Sequence, residues 1–152
     1  MLKSKIAVVV LNWNGKALLQ KFLPSVIEHS SNFTIVVADN ASTDDSIIFL
    51  KENYPSIVLI QNKKNGGFAQ GYNDALKNIN AEYYVLLNSD VEVTKNWIEP
   101  VVTLMDADVT ISACQPKILS YNEKNKFEYA GACGGFIDKY AIHFVEVVYL
   151  MK

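Results

Sequence analysis

The residues able to do chemistry in this chain sit in three short polar clusters, each directly after an apolar run. Asn88-Ser89-Asp90 follows Tyr83 to Leu87, Asp39-Asn40-Ala41-Ser42 follows Thr34 to Ala38, and Asn12-Trp13-Asn14-Gly15 follows Ile6 to Leu11. A carboxylate such as Asp90 can bind Mg²⁺ or Mn²⁺, hard cations that take oxygen ligands and usually keep substrate phosphates and waters as further partners. A cation there neutralises charge developing on a diphosphate leaving group. Asp39 can accept a hydrogen bond from the N3–H of a uracil or thymine ring, while Asn12 and Trp13 can wall the base and ribose. Gly66-Gly67 lets the backbone approach a ligand, and the helix after it offers its N-terminus to negative charge. Asn73, one turn further on, is expected to face the same crevice.

Each residue also has a plainer reading. An Asp after a strand is commonly a helix cap or turn former. Asn65-Gly66-Gly67 is a weak signal by itself, Asn73 on a helix is more often a solvated residue, and Trp13 and Trp97 are by default edge or core aromatics. His29 and His143 have no carboxylate at useful spacing and receive no role. Joint placement decides for a site, because three polar strand ends in the right order rarely coincide.

The elements that must position these residues follow from the hydrophobic pattern. Ile6 to Leu11 is a continuous β-branched run, the mark of a strand covered on both faces. Leu18, Leu19, Phe22, Leu23, Val26 and Ile27 then recur at helical spacing, with Pro24 predicting a kink or two short pieces. Thr34 to Ala38 predicts a second buried strand, and Ser42-Thr43-Asp44-Asp45 a cap for the helix carrying Ile47, Ile48 and Leu50. A third strand is expected over Ile57 to Ile60, a helix from Phe68 to Ile79, and a fourth, buried strand over Tyr83 to Leu87. A helix around Trp97 to Met105 with Pro100 in its first turn and a fifth strand over Thr110 to Cys114 complete the pattern. Strands alternating with helices imply a mostly parallel sheet in a three-layer α/β/α sandwich. With strand order 3-2-1-4, the ends of strands one, two and four converge at the topological switch point, where a ligand crevice lies.

Composition sets limits on what else the chain can be. A length of 152 residues predicts one domain, residues 1–152, with a core of its own. Half the residues are hydrophobic and a fifth charged, which excludes disorder. A net charge of −2 without a basic run argues against nucleic acid as a partner. Cys114 and Cys133 have no metal-ligand spacing and are expected to be reduced and structural. The apolar run after Lys3-Ser4-Lys5 is too short for a signal peptide, and no stretch approaches the roughly 20 apolar residues of a membrane span. The expected location is cytoplasmic, or peripheral at the inner face of the membrane. No G-x-G-x-x-G follows the first strand, which disfavours a dinucleotide-dependent oxidoreductase.

Four segments together resemble the successive motifs of inverting family 2 glycosyltransferases. They are Val8-Val-Val-Leu-Asn-Trp-Asn-Gly15, Val36-Val-Ala-Asp-Asn-Ala-Ser-Thr-Asp-Asp45, Asn65-Gly-Gly-Phe-Ala-Gln-Gly-Tyr-Asn73 and Leu86-Leu-Asn-Ser-Asp-Val91. The likeness covers roughly residues 5 to 135 and is nearest to the rhamnosyltransferase-like branch that builds bacterial surface polysaccharide. It implies the glycosyltransferase A fold, here as the nucleotide-diphospho-sugar-binding, Rossmann-like half. It also implies sugar transfer from a UDP- or dTDP-linked donor to a glycan or lipid-linked acceptor hydroxyl, with a divalent metal. Carried over, it gives base recognition to Asp39 and the nucleoside wall to Asn12, Trp13, Asn14 and Asn40. Gly67 and Asn73 would lie beside the ribose and diphosphate. Asn88 and Asp90 occupy the first and last positions of an Asp-x-Asp-type metal motif, with Asp90 the sole carboxylate.

The resemblance also shows what is missing. Inverting transfer needs a general base to deprotonate the acceptor hydroxyl, and in the family it lies in an acidic motif well beyond the Gly131 to Gly135 region. Asp138 and Glu146 are the acidic residues after Gly135, and neither lies in such a motif. The expectation is a donor half, incomplete at its C-terminus, with residues 136–152 an atypical tail. A non-catalytic remnant that binds nucleotide weakly or only associates with partners is the rival reading. The apolar stretch Ile142 to Met151 is expected to be buried against the sheet or against a second copy, as in a homodimer, because exposing it would leave a large sticky patch.

Overall fold

A computed structural model of the chain describes residues 2–128, 135–137 and 143–145. It divides into two compact units, Met1–Thr103 and Leu104–Lys152. The first alternates strand and helix: β1 (Leu2–Asn12), α1 (Lys16–His29), β2 (Thr34–Asp39), α2 (Ser46–Asn53), β3 (Val58–Gln61), α3 (Gly67–Leu76) and β4 (Ile79–Asn88). A further helix, α4 (Glu99–Ala107), holds Pro100 in its first turn, where a missing N–H costs nothing. All four strands are parallel, in the order β3-β2-β1-β4 that the alternation predicts.

The sheet is covered on two faces, as the β-branched run of β1 requires. Ile6, Val8, Val10, Val37 and Leu87 pack with Leu19, Leu23 and Val26 of α1, Leu50 of α2, and Ile98 near the start of α4. Ala7, Val9, Val36 and Ala38 point the other way, against Tyr72 and Ala75 of α3. Both parities of β1 are therefore buried, and its run shows no polar alternation.

Several expectations are corrected. The helix expected to reach Ile79 ends at Leu76, and Ile79 opens β4. Pro24 does not divide the first helix: α1 is one element with Pro24 inside it. Pro24 and Gln20 both lie on the exposed side of α1, so the ring does not disturb the buried face. β4 is not buried along its length, because Tyr84 is 40% and Leu86 50% exposed while Tyr83 and Val85 face the α1 side. The apolar tyrosine–leucine run concealed an alternation typical of a half-covered strand. No strand forms over Thr110 to Cys114. Asp108 Oδ1 there accepts the Thr110 N–H at 2.9 Å and its hydroxyl at 2.6 Å, and the Ile111 N–H reaches the Asp108 carbonyl at 3.1 Å. That turn takes up the backbone a ladder would need.

In the second unit, Leu119 bridges Phe127 in antiparallel fashion, with Ser120 N–H on the Lys126 carbonyl at 2.9 Å. Two short strands, β5 (Gly135–Ile137) and β6 (His143–Val145), pair antiparallel with Phe136 opposite Phe144. The rest of the apolar tail, and Cys133, lie outside the described residues. Cys114 is a free, exposed thiol and does not serve packing. Among the described residues no helix is long and apolar enough to cross a membrane.

Candidate functional site

Register brings the strand ends level. Asn12 lies opposite Asp39 across β1 and β2, Asp39 opposite Gln61 across β2 and β3, and Leu11 opposite Asn88 across β1 and β4. With neighbouring strands about 4.8 Å apart, the three predicted clusters share one edge of the sheet.

At its centre Asp39 is fully buried. One carboxylate oxygen accepts Asn12 Nδ2–H at 3.0 Å, and the other accepts the backbone N–H of Ser42 at 2.9 Å. The second Nδ2–H of Asn12 reaches Ser42 Oγ at 3.2 Å. Asn12 is also fully buried, and its Oδ1 has no hydrogen-bond partner among the described residues. Ala41 adopts φ 60°, a left-handed conformation costing an L-residue about 1–2 kcal/mol.

Asn14 laces the first loop to the second. Its own N–H donates to Ser42 Oγ at 2.8 Å, and its Oδ1 accepts the N–H groups of Thr43 at 2.7 Å and Asp44 at 3.3 Å. Asn14 has φ 50°, which asparagine tolerates better than most residues. Trp13 between them is 56% exposed, a ring presented to solvent at the strand end.

Asp44 joins two helix N-termini. Its carboxylate accepts the N–H of Lys16, first residue of α1, at 3.1 Å and that of Ser46, first residue of α2, at 3.0 Å. Partial desolvation pushes this carboxyl upward, but hydrogen bonds from Ser46 and from backbone N–H groups outweigh it and hold the pKa below its ordinary value. Each contact also places negative charge at the positive end of a helix dipole.

Asn40 serves the other side. Its Nδ2 donates to Asn65 Oδ1 at 2.8 Å and to the Gly67 carbonyl at 3.1 Å, and its Oδ1 accepts Asn62 Nδ2–H at 3.1 Å. Asn62 donates as well to the Gly71 carbonyl at 2.9 Å. Gly67 has φ +80°, and its N–H returns to Asn65 Oδ1 at 2.8 Å. This amide chain seats the first turns of α3 over the ends of β2 and β3. Tyr72 seats the middle of α3: it is buried, and its hydroxyl donates to the Leu87 carbonyl at 2.9 Å. Burial pushes that phenol up to about 12 against a smaller opposing hydrogen bond from the Leu11 backbone.

Of the residues singled out from sequence, Asn12, Asn14 and Asp39 meet in one network and Asn40 and Gly67 in a second beside it. Asn88 stands at the same edge and is exposed. Asp90 and Asn73 are exposed, and the sheet-facing side of α3 belongs to Tyr72, Ala75 and Leu76. Among the described residues no three His, Cys, Asp or Glu gather as a metal cluster. Sequence reasoning passed over Ser42 and Asp44 as ordinary caps, and missed Asn62 and Tyr72. Asn62 carried a usable signal, since it is a polar residue directly after the third apolar run.

Known proteins are similar to this chain in sequence and in fold. A poly(ribitol-phosphate) beta-glucosyltransferase of Bacillus spizizenii is 31% identical over 93 residues, covering 57% of this chain and 15% of the relative. The structure of S. aureus TarS residues 1–349 in complex with UDP-GlcNAc superposes with TM-score 0.57 at 26% identity, over 68% of this chain and 31% of that one. A mannosyltransferase of Pyrobaculum calidifontis, solved with GDP-Man and Mn²⁺, has the same fold at TM-score 0.59 and 20% identity, over 78% of this chain and 34% of that one. The chain spans between 15% and 35% of the length of the curated relatives first matched. Its residues 7–141 match the model of glycosyl transferase family 2, and the chain belongs to that family.

Proposed function

We propose that this chain binds the nucleoside-diphosphate sugar of a family 2 glycosyl transfer at the joined ends of β1, β2 and β4. The observation that carries this reading is the buried Asp39 carboxylate held between Asn12 and Ser42 at the switch point of a parallel sheet. Asp39 accepts the N3–H of a uracil or thymine ring, Trp13 supplies an exposed wall with Asn12 and Asn14, and Asn40 holds the floor. Because Asp39 is fully buried, the base reaches it only when the loop around Ser42 shifts. Gly67 and Asn73 lie toward the ribose and diphosphate.

Asp90 with the Asn88 side-chain carbonyl is an oxygen donor set that fits Mg²⁺ or Mn²⁺. It is too small to hold the ion without the substrate's own phosphates, and both residues are exposed and accessible for that purpose. The metal, when bound, stabilises negative charge on the departing diphosphate. The B. spizizenii relative is named for glucosyl transfer to poly(ribitol-phosphate). That supports a glycan or lipid-linked acceptor in surface-polymer synthesis, with the rhamnosyltransferase-like branch as the finer assignment. The site belongs to a cytoplasmic or inner-face protein. Residues 1–152 act as a single donor-binding domain.

Calorimetric titration with UDP and dTDP, with and without Mn²⁺, tests the reading. Binding strengthened by Mn²⁺ and lost in Asp39→Ala is expected. No binding by the native chain, or equal binding by Asp39→Ala, would overturn it.

A further inference from the structure

We infer that Ser25 of α1 is a positioning residue for Asp90, holding that carboxylate where a divalent cation meets it. The inference rests on the metal-binding role proposed for Asp90. Asp90 lies two residues beyond the end of β4, and among the described residues its carboxylate has no hydrogen-bond or ion-pair partner. A side chain that nothing grips takes its place from the backbone on either side of it. On one side the chain leaves β4 at Asn88, which register sets opposite Leu11. On the other side it is caught at Val93, whose backbone N–H donates to Ser25 Oγ at 3.3 Å. The same hydroxyl donates to the Phe22 carbonyl of α1 at 2.8 Å. A serine hydroxyl both donates and accepts, so Ser25 fastens the loop to the helix backbone.

Val93 is buried and belongs to the core cluster that holds Leu19, Leu23 and Val26 of α1. A buried N–H without a partner is unfavourable, so Ser25 is what lets the chain enter the core three residues after Asp90. Further along, Trp97 Nε1–H donates to Ser30 Oγ at 3.1 Å, just past the end of α1. At the near end, a Cβ on Gly15, which precedes α1, would lie 3.6 Å from Ser89 Oγ. The segment 89–97 therefore follows α1 in the same direction, meeting it at its start, its third turn and its end. Asp90 sits between the first two of these points. It is exposed in this same arrangement, so a cation reaches it with no opening of the loop. A lone carboxylate shares its ion with substrate phosphates and waters. Freedom left to the loop is lost when the ion binds, and the affinity falls accordingly.

The test is calorimetric titration with UDP, in a chelator and across a series of Mn²⁺ concentrations, of the native, Ser25→Ala, Ser25→Thr and Trp97→Phe chains. Thermal melting confirms folding, and alanine, the best helix former, keeps α1 intact. The Mn²⁺ concentration giving half of the gain in UDP affinity is expected to rise about fivefold in Ser25→Ala, the worth of one hydrogen bond. UDP affinity in the chelator is expected to stay unchanged. Ser25→Thr, which keeps a hydroxyl, is expected to retain the native midpoint. Trp97→Phe, which removes a tie seven residues from Asp90, is expected to lower Tm and leave the midpoint where it is. An unchanged midpoint in Ser25→Ala overturns the assignment, and so does an equal rise in Trp97→Phe, the mark of general loosening. Loss of UDP affinity by Ser25→Ala in the chelator would give Ser25 a merely structural role and overturn it as well. A Mn²⁺ effect that Asp90→Ala abolishes while Ser25→Ala leaves the midpoint intact overturns this inference alone. No Mn²⁺ effect on UDP binding by the native chain overturns it together with the metal reading of Asp90.

Discussion

Gly15 and Asn12 occupy the same corner of the site, and only a glycine leaves room for both. A Cβ on residue 15 would collide with Asn12 Oδ1 and come within 3.6 Å of Ser89 Oγ. Asn12 has no retreat, because it is buried and its Nδ2 is held by both Asp39 and Ser42. The backbone at Gly15, with φ −113°, would accept any residue, so the requirement is purely steric. Gly15→Ala is therefore expected to cost about 1–3 kcal/mol, read as a fall in Tm; an unchanged melt would show that Asn12 can shift. At this scale the sequence placed Asn12 and Asp39 at the ends of neighbouring strands, and register sets them opposite each other. The sequence did not reveal that Asn40 turns inward to Asn65, Gly67 and Asn62, because an amide's partners depend on which chain segments fold beside it.

Among the elements, α3 is tied to the sheet by a buried tyrosine. Tyr72 reaches from its middle to the Leu87 carbonyl at the end of β4, and its phenol stays protonated up to about 12. The unfolded chain loses that proton near pH 10. Stability from this group is therefore complete below about pH 10 and falls as the pH rises toward 12, by no more than about 2 kcal/mol after allowing for solvent screening. Tyr72→Phe is expected to flatten this part of the alkaline denaturation curve, measured by urea melts from pH 9 to 12. An unaltered slope would place the alkaline loss in other groups. The helix and strand order was legible because periods of 2 and 3.6 differ clearly over ten residues. Continuity through Pro24 was not, since it turns on which face of α1 the ring occupies. Nor was the exposure of Tyr84 and Leu86, as tyrosine and leucine serve equally in a core or on an open face.

For the whole molecule, the match over residues 7–141 places the chain in glycosyl transferase family 2, while the chain spans at most 35% of the curated relatives first matched. Calorimetry on these 152 residues is expected to show UDP binding that Mn²⁺ strengthens and that Asp39→Ala removes; equal binding by the variant would overturn the proposed site. The amino-acid sequence by itself determined the parallel α/β sheet, its 3-2-1-4 order and the edge carrying Asn12, Asp39 and Asn88. Hydrophobic periodicity and chain connectivity are local properties that admit few topologies. Only the tertiary structure decided that Asp39 is fully buried with both carboxylate oxygens bonded, and that the Asp44 carboxylate meets the first N–H groups of two helices. Hydrogen-bond partners some thirty residues apart are chosen by register and loop geometry, which residue type constrains without specifying.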